Sequence, residues 1–596
     1  MFYKLAGASN NKMTLIAGIV SRKKIDPLPN SICDSLRQAI SRNDSDTIEV
    51  FSDENSYLVK LDIGAFGERA TVTGEDGSIT LLTGEPLLGL DDRSLGGRKA
   101  DTAAIHNGFT QNDHRILSAA NGAFSAVHYR PKTGEISLVA DKLGLRPLYY
   151  WIGPEYVIFS SAMRILENVD AIPKRLDVRA VTELVGLGYP LADLTPYTDI
   201  RLLRPAEILT IAGPKVSSET YWRWDLIEES ERPEDEMLAG LYAKFLNAVA
   251  MRNQGDTATA AYLSGGLDSR CIVAALIEQN TAVHTFNFSR EYTQDQVFGR
   301  EFAHAAGSRH QEIPKQPGDL VPDYSKLMSD AWAAKRDIGV SAPRPNIVWS
   351  GEGGSVALGH VHLTEEMVDM LRNGDIDAAI AEHLRREFAQ VSPKLFRKDV
   401  APRISTIIHD GIRSELSRFD CKDKARNFYL HLLVNDQHRK LAKHFENIDL
   451  HRLEFQLPFF DSSFIAAIIA VPLDKCLLHR LYVKLLDHFP PYVKSVPWQA
   501  YPGHVPCPVP IPNGLSYQWA GAYQTTERAA QKRVVMDQAA TMLDSKTFPD
   551  AILNKRTLRL AKWAHATGLR DYGYIIGPAS TFFEYWKICG GDYFLP

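Results

Sequence analysis

None of the six cysteines, Cys33, Cys271, Cys421, Cys476, Cys507 and Cys589, stands in a CxxC pair. Neither a zinc framework nor a disulfide framework is indicated, and reduced thiols of a cytoplasmic protein are expected. No long block of Lys and Arg appears and the net charge is −5. Such a balance argues against a dedicated binder of nucleic acid or of an anionic membrane. The longest apolar run, FIAAIIAV from Phe464 to Val471, is too short to span a bilayer and reads as a buried helix. The first twenty residues lack the basic, apolar and small-residue order of a signal peptide. Internal repeats, low-complexity segments and the phosphate-binding string GxxxxGK[ST] are all missing.

What is present is a long chain of ordinary globular composition. Its 596 residues are 45% hydrophobic and 23% charged, enough for two large domains or more. Residues 13–216 are rich in short alternating runs, such as SAVHY and ISLVA around RPKTGE, which predict antiparallel strands. The polar stretch from Ser217 to Glu236 reads as a linker. From Met237 the periods lengthen, with Leu238, Leu241, Phe245 and Val249 on one helical face. TAAYLS, Ile272–Ile277, VHTFNFS, QVFGREFAHAAG and NIVWSG then alternate strand with helix, which predicts a parallel α/β sheet. The expected division is an extension over 1–12, a first domain over 13–216, a linker over 217–236 and a second domain over 237–596. The last residues of that domain are aromatic-rich and carry no motif.

The most informative stretch is AYLSGGLDSRCIVAAL, from Ala261 to Leu276. An apolar strand ends at Ser264-Gly265-Gly266, and a helix follows with Asp268 and Ser269 in its first turn. Ligands of open parallel sheets bind beyond the strand C-termini. Two glycines allow close backbone approach, and the helix N-terminus is partly positive, so an anion is the natural guest. Asp268 would repel a bare phosphate, and its presence suggests a magnesium ion between them.

SGGLDS resembles the pyrophosphate-binding loop of the asparagine synthetase superfamily. VWSGEGGSVALGH (Val348–His360) resembles that family's second signature loop, and EFQLPFFDSSF (Glu454–Phe464) a further segment of the same domain. LVADKLGLRPLYYW (Leu138–Trp151) and VIFSSAMRILE resemble a class II glutaminase domain. The resemblance implies an N-terminal glutaminase-like antiparallel β-sandwich flanked by helices. A C-terminal ATP pyrophosphatase-type parallel α/β domain with helical additions would follow. It also implies ATP and Mg2+. The nucleotide and its pyrophosphate are expected at Leu263, Ser264, Gly265, Gly266, Leu267, Asp268, Ser269, Asn287, Ser350 and Gly351, and the metal at Asp268 and Glu352.

Two departures from the family narrow the expectation. The glutaminase's N-terminal Cys is replaced by Thr14, behind thirteen residues, and its NGE loop by Thr83-Gly84-Glu85. A threonine hydroxyl without its own free α-amine is a poor nucleophile. The amine therefore comes with a substrate rather than from glutamine. Among branches lacking the Cys, β-lactam synthetases and lasso-peptide cyclases, the chain resembles the second. The match lies in NDQHRKLAKHFENIDLHRLEFQLPFFDSSF and LLHRLYVKLLDHFPPYVKSVPWQAYPGHVPCP.

That resemblance implies adenylation of an Asp or Glu side chain of a precursor core peptide and attack by the peptide's N-terminal amine. A leader peptidase and a leader-recognition protein are the implied partners, with no nucleic acid and no membrane insertion. A peptide amine must lose a proton first. Glu352 is the candidate base, His504 a second, and Lys484, four residues after Arg480, the candidate phosphate cation. Trp498 and Tyr501 are expected to wall the substrate pocket. The family's second-loop Asp is Ser355 here, and a family Lys is Trp498. The competing expectations are a ligase acting on a small molecule and a non-catalytic scaffold.

Overall fold

Period-two patterning organises the first half of the computed structural model, which describes residues 15–23, 28–89, 97–314, 323–337, 341–517 and 525–596. Thr14 lies outside the described residues. The strand Leu15–Ser21 is apolar at almost every position because both its faces are covered. Ile16 and Val20 point into one core, while Leu15, Ala17 and Ile19 point into another.

The first core is the interior of an antiparallel sandwich. One sheet runs in the order Arg201–Leu202, Tyr149–Ile152, Tyr156–Ser160, Leu15–Ser21, Ser56–Leu61, Ile48–Ser52. The other runs Lys215–Thr220, Glu207–Ala212, Glu135–Ala140, Phe124–Arg130, Ile79–Gly84, Thr71–Thr73. Leu58 and Phe159 of the first sheet meet Leu81, Val127 and Leu138 of the second. SAVHY and ISLVA are paired as expected, with Ala126 opposite Val139 and Val127 opposite Leu138.

The expected linker begins too early. Ser217–Thr220 belongs to the strand Lys215–Thr220, bonded along Glu207–Ala212. Its residues are all exposed, so it has no alternation to read. Trp224 is buried and donates its indole N–H to the Lys142 carbonyl at 3.0 Å.

The second half is built on a five-stranded parallel sheet, ordered Arg309–Glu312, Ala282–Asn287, Ala258–Tyr262, Ile347–Trp349, Glu454–Gln456. The chain leaves the central strand Ala258–Tyr262 in one direction and returns on its other side. That reversal opens a crevice at the strand C-termini. The helix Glu234–Asn253 buries Leu238, Leu241, Phe245 and Val249 as its spacing predicts.

The last helices, Thr525–Asp544, Lys555–Thr567 and Gly573–Ile588, do not extend this sheet. Met542, Leu558, Phe582 and Phe583 join Leu15, Ala17 and Ile19 in the core outside the sandwich, and Tyr593–Phe594 pairs in parallel with Leu176–Asp177. The two halves are also joined by buried polar contacts. Arg146 pairs with Glu454. The Glu85 carboxylate accepts from the Gln254 and Gln456 amides, each at 2.8 Å. Glu446 accepts from the Tyr149 hydroxyl at 2.7 Å and the Met163 N–H at 3.3 Å. Among the described residues no helix is long and apolar enough to cross a membrane.

Candidate functional site

The turn Ser264–Gly266 follows the central strand, and the helix Leu267–Glu278 starts directly after it with no side-chain cap. The loop amides are used differently from the expectation. Ser264 N–H donates to Ser269 Oγ (3.0 Å), Gly265 N–H to Asp295 Oδ1 (2.8 Å) and Gly266 N–H to Ser264 Oγ (3.2 Å). These bonds fix the shape of the turn. The donors left to meet an anion are those of the uncapped first helical turn, Leu267 to Ser269.

Arg270, fully buried, holds the turn from behind. Its guanidinium donates to the carbonyls of Gly266 (3.1 Å), Val493 (3.0 Å), Val496 (2.9 Å) and Pro497 (2.8 Å), and it lies 5.0 Å from the Phe302 ring centroid. Burial without a carboxylate lowers its pKa to about 10. Sequence reasoning passed over this residue; its only signal was a charge inside an otherwise apolar helix.

The second loop packs onto the same helix terminus. A side chain at Gly351 would come within 2.8 Å of the Ser269 nitrogen, and Gly353 has a left-handed φ of 93°. Ser355 donates its N–H (3.0 Å) and hydroxyl (2.9 Å) to Asp268 Oδ2, and the Tyr482 hydroxyl donates to Oδ1 at 2.8 Å. Burial raises the Asp268 pKa to about 6 even so. The Glu352 carboxyl is also raised, first by burial and then by the negative charge of Asp268, while Lys440 opposes the rise. Among the described residues no three His, Cys, Asp or Glu side chains gather into a metal site. Two neighbouring carboxylates nonetheless fit magnesium, which takes one or two and fills its shell from phosphate and water.

Both loops face a cleft of about 2070 Å³ lined by Leu263, Ser264, Gly266 to Ser269, Asn287, Ser350 to Gly353, Ser355, Lys440, His479, Trp498, Tyr501 and His504. Its volume exceeds the few hundred to about 1,000 Å³ of an ordinary small-molecule site. Asn287 faces it but is spent on structure: its amide donates to the carbonyls of Leu263 (2.9 Å) and Asp295 (3.2 Å). Gly265 is wedged against the Gln294–Asp295 backbone.

Lys484 requires a correction. It lies outside the cleft lining, paired with Glu234 and half exposed, and Arg480 pairs with Glu365. The helix Arg480–Leu485 is entered through Leu478 and His479, both left-handed. That entry turns Tyr482 toward Asp268 and both basic residues outward. Trp498 is 1% exposed and sits 5.8 Å from Arg270, so it serves mainly as core with one edge on the cleft. Tyr501 is half-buried beside His479, ring centroids 5.3 Å apart. His504 Nδ1 lies 2.7 Å from His479 Nδ1, so one ring supplies the hydrogen and the two act as a pair. Burial holds His479 down at about 3. His479 had no signal in the sequence.

The uncapped helix terminus, the neighbouring carboxylates of Asp268 and Glu352 and the wide cleft at the sheet reversal belong to a parallel α/β domain behind an antiparallel sandwich. Residues 94–222 match the Glutamine amidotransferase domain family and residues 240–352 the Asparagine synthase family. The chain is 23% identical over 342 residues to asparagine synthetase [glutamine-hydrolyzing] 3 of Bacillus subtilis, covering 51% of this chain and 55% of the relative. It is 28% identical over 203 residues to a putative asparagine synthetase [glutamine-hydrolyzing] 2 of Methanocaldococcus jannaschii, covering 33% and 39%. The chain thus spans about half or less of these relatives. The B. subtilis glutamine phosphoribosylpyrophosphate amidotransferase structure overlaps 63% of this chain and 79% of its own at 13% identity, with a TM-score of 0.25.

Proposed function

We propose that the chain is an ATP-dependent, AMP-forming amide ligase that closes a ring within a peptide. The observation that carries the ligase reading is the contact of the two loops through Asp268, Ser355 and Tyr482 at an uncapped helix N-terminus. ATP with magnesium would sit there, held by the first-turn amides, Asp268 and Glu352. The metal would supply charge to offset the departing pyrophosphate. The chain's own groups do the rest. The first turn receives the phosphate anion, and Arg270 keeps the turn in shape. Glu352, facing the cleft beside the first helical turn, accepts the proton of the attacking amine.

The peptide reading rests on the resemblance and is supported by the breadth of the cleft. Thr14 and the tied-down Glu85 loop support an amine brought by the substrate rather than released from glutamine. The relatives' names favour a second reading, amide formation on a small amino acid, and the fused sandwich suits it equally.

Mass spectrometry separates them. A leader-free precursor incubated with ATP, Mg2+ and protein should lose one water as AMP accumulates. Unchanged peptide mass, with AMP formed from ATP when aspartate and an amine donor are supplied, would replace the peptide reading with the small-molecule one.

A further inference from the structure

The floor of the cleft is acidic. Asp268, Asp295 and Glu352 line it, yet the guest read from the helix terminus is a polyanion. The lysine nominated from the sequence is turned away, and at the position of the family lysine stands the buried, uncharged Trp498. The Arg and Lys side chains on the described lining are Arg290, Arg386 and Lys440.

The helical run from Lys424 to Glu446 supplies one. Its middle, Leu432–Gln437, is a six-residue π-helical turn, fully buried. Such a turn widens the helix locally and rotates the downstream face, a distortion frequent at functional sites. From its last residue, Gln437, onward, Gln437, Lys440, Leu441 and His444 follow at helical spacing, and all four line the cleft. Lys440 is the one lysine among the described lining residues. Its ammonium is steered by Asp436 at 2.7 Å; that carboxylate is 7% exposed while the lysine side chain is 51% exposed. Asp436 occupies one of three donors, and two remain.

We propose that Lys440 is the cation that meets the phosphate chain of the nucleotide, presented by the π-helical turn in place of the charge that Trp498 cannot supply. The proposal rests on the ligase reading. As a substrate carboxylate oxygen bonds to the α-phosphorus, the bridging P–O bond breaks and pyrophosphate leaves with the electron pair. Lys440 keeps its proton throughout and offsets the charge on the phosphates.

Calorimetric titration of the full chain with α,β-methylene-ATP and Mg2+ tests this without turnover. Lys440→Met should weaken binding about tenfold to a hundredfold, the worth of one hydrogen bond to a charged group. Lys440→Arg should restore most of it, and Lys484→Met should bind like wild type. The dependence on salt should be shallower in Lys440→Met than in wild type. Asp436 keeps the Gln437 amide when the lysine is removed, so the variant should stay folded with a modest fall in melting temperature, and Lys440→Gln provides a second neutral form. Wild-type affinity in both neutral variants, or a loss at Lys484 instead, overturns the proposal. A wild-type protein that binds no nucleotide overturns the ligase reading as well.

Discussion

Asp268 shows how one side chain reconciles position and charge. Three hydrogens point at its two oxygens, yet burial still lifts its pKa to about 6. The carboxylate is set in place before any ligand arrives and is under-solvated there, which favours a cation. Asp268→Asn preserves size and most of the hydrogen bonds. It should abolish conversion of ATP to AMP, by about a thousandfold or more if charge compensation of the pyrophosphate is its role, while circular dichroism stays native. AMP release at near-wild-type rate would refute the assignment.

At the scale of elements, the strand–turn–helix unit depends on a contact far away in sequence. Arg270 joins the turn to the segment Val493–Pro497, and Gln499 N–H donates to the Gly265 carbonyl at 3.0 Å. Arg270→Met would strand several buried carbonyls at a cost of about 3 kcal/mol. The melting temperature should fall and ATP affinity with it. Arg270→Lys should rescue little, because one ammonium cannot span carbonyls that a planar guanidinium reaches. A variant with unchanged nucleotide affinity would show that the turn needs no such brace.

Elements of this kind were legible in the sequence where periodicity is local. The alternation of SAVHY and ISLVA, the apolar face of Glu234–Asn253 and the helix in FIAAIIAV (Ser462–Ile469) all follow from two- or 3.6-residue patterns. So does the strand–helix order around SGGLDS. The edge strand Lys215–Thr220 was read as linker because neither of its faces is buried. Lys484 was misplaced because helical spacing sets which residues share a face, not what that face meets. Lys440, His479 and Arg270 were missed for a related reason. A π-helical turn, two left-handed residues and a buried guanidinium, respectively, place them, and none has a short-range signature.

The two halves of the molecule meet through buried ionisable groups as well as apolar area, and the charge of such a group can cost stability. Glu446 is an example: its carboxyl bridges the second half to Tyr149 and Met163 of the first, and burial pushes its pKa to about 7. A folded-state pKa above the unfolded value means that the native state holds the proton more tightly. Its stabilising effect is full below about pH 4.5 and is lost as pH rises toward 7. Glu446→Gln should therefore be neutral near pH 4. By pH 8 it should be more stable than wild type by at most about 2 kcal/mol, the shift discounted for partial exposure. Denaturation at the two pH values measures the difference, and equal differences at both would contradict it.

The pairing of Tyr593–Phe594 with Leu176–Asp177, beside the helices that cover the sandwich, has a consequence for biosynthesis. The ribosome finishes the sandwich strands and their first covering helix, Asn30–Ala39, by Thr220 but delivers the rest of the cover only with the helices Thr525–Asp544, Lys555–Thr567 and Gly573–Ile588. At cellular rates of about 5–20 residues per second, that interval lasts roughly 20–80 s. Throughout it, Leu176–Asp177 and the helix Val178–Leu187 wait for the strand and helix that pack on them, leaving part of an apolar face open as a substrate for chaperones or a nucleus for aggregation. Yield in a heterologous host should therefore respond more to holdase capacity and growth temperature than to the strength of any contact within the nucleotide cleft.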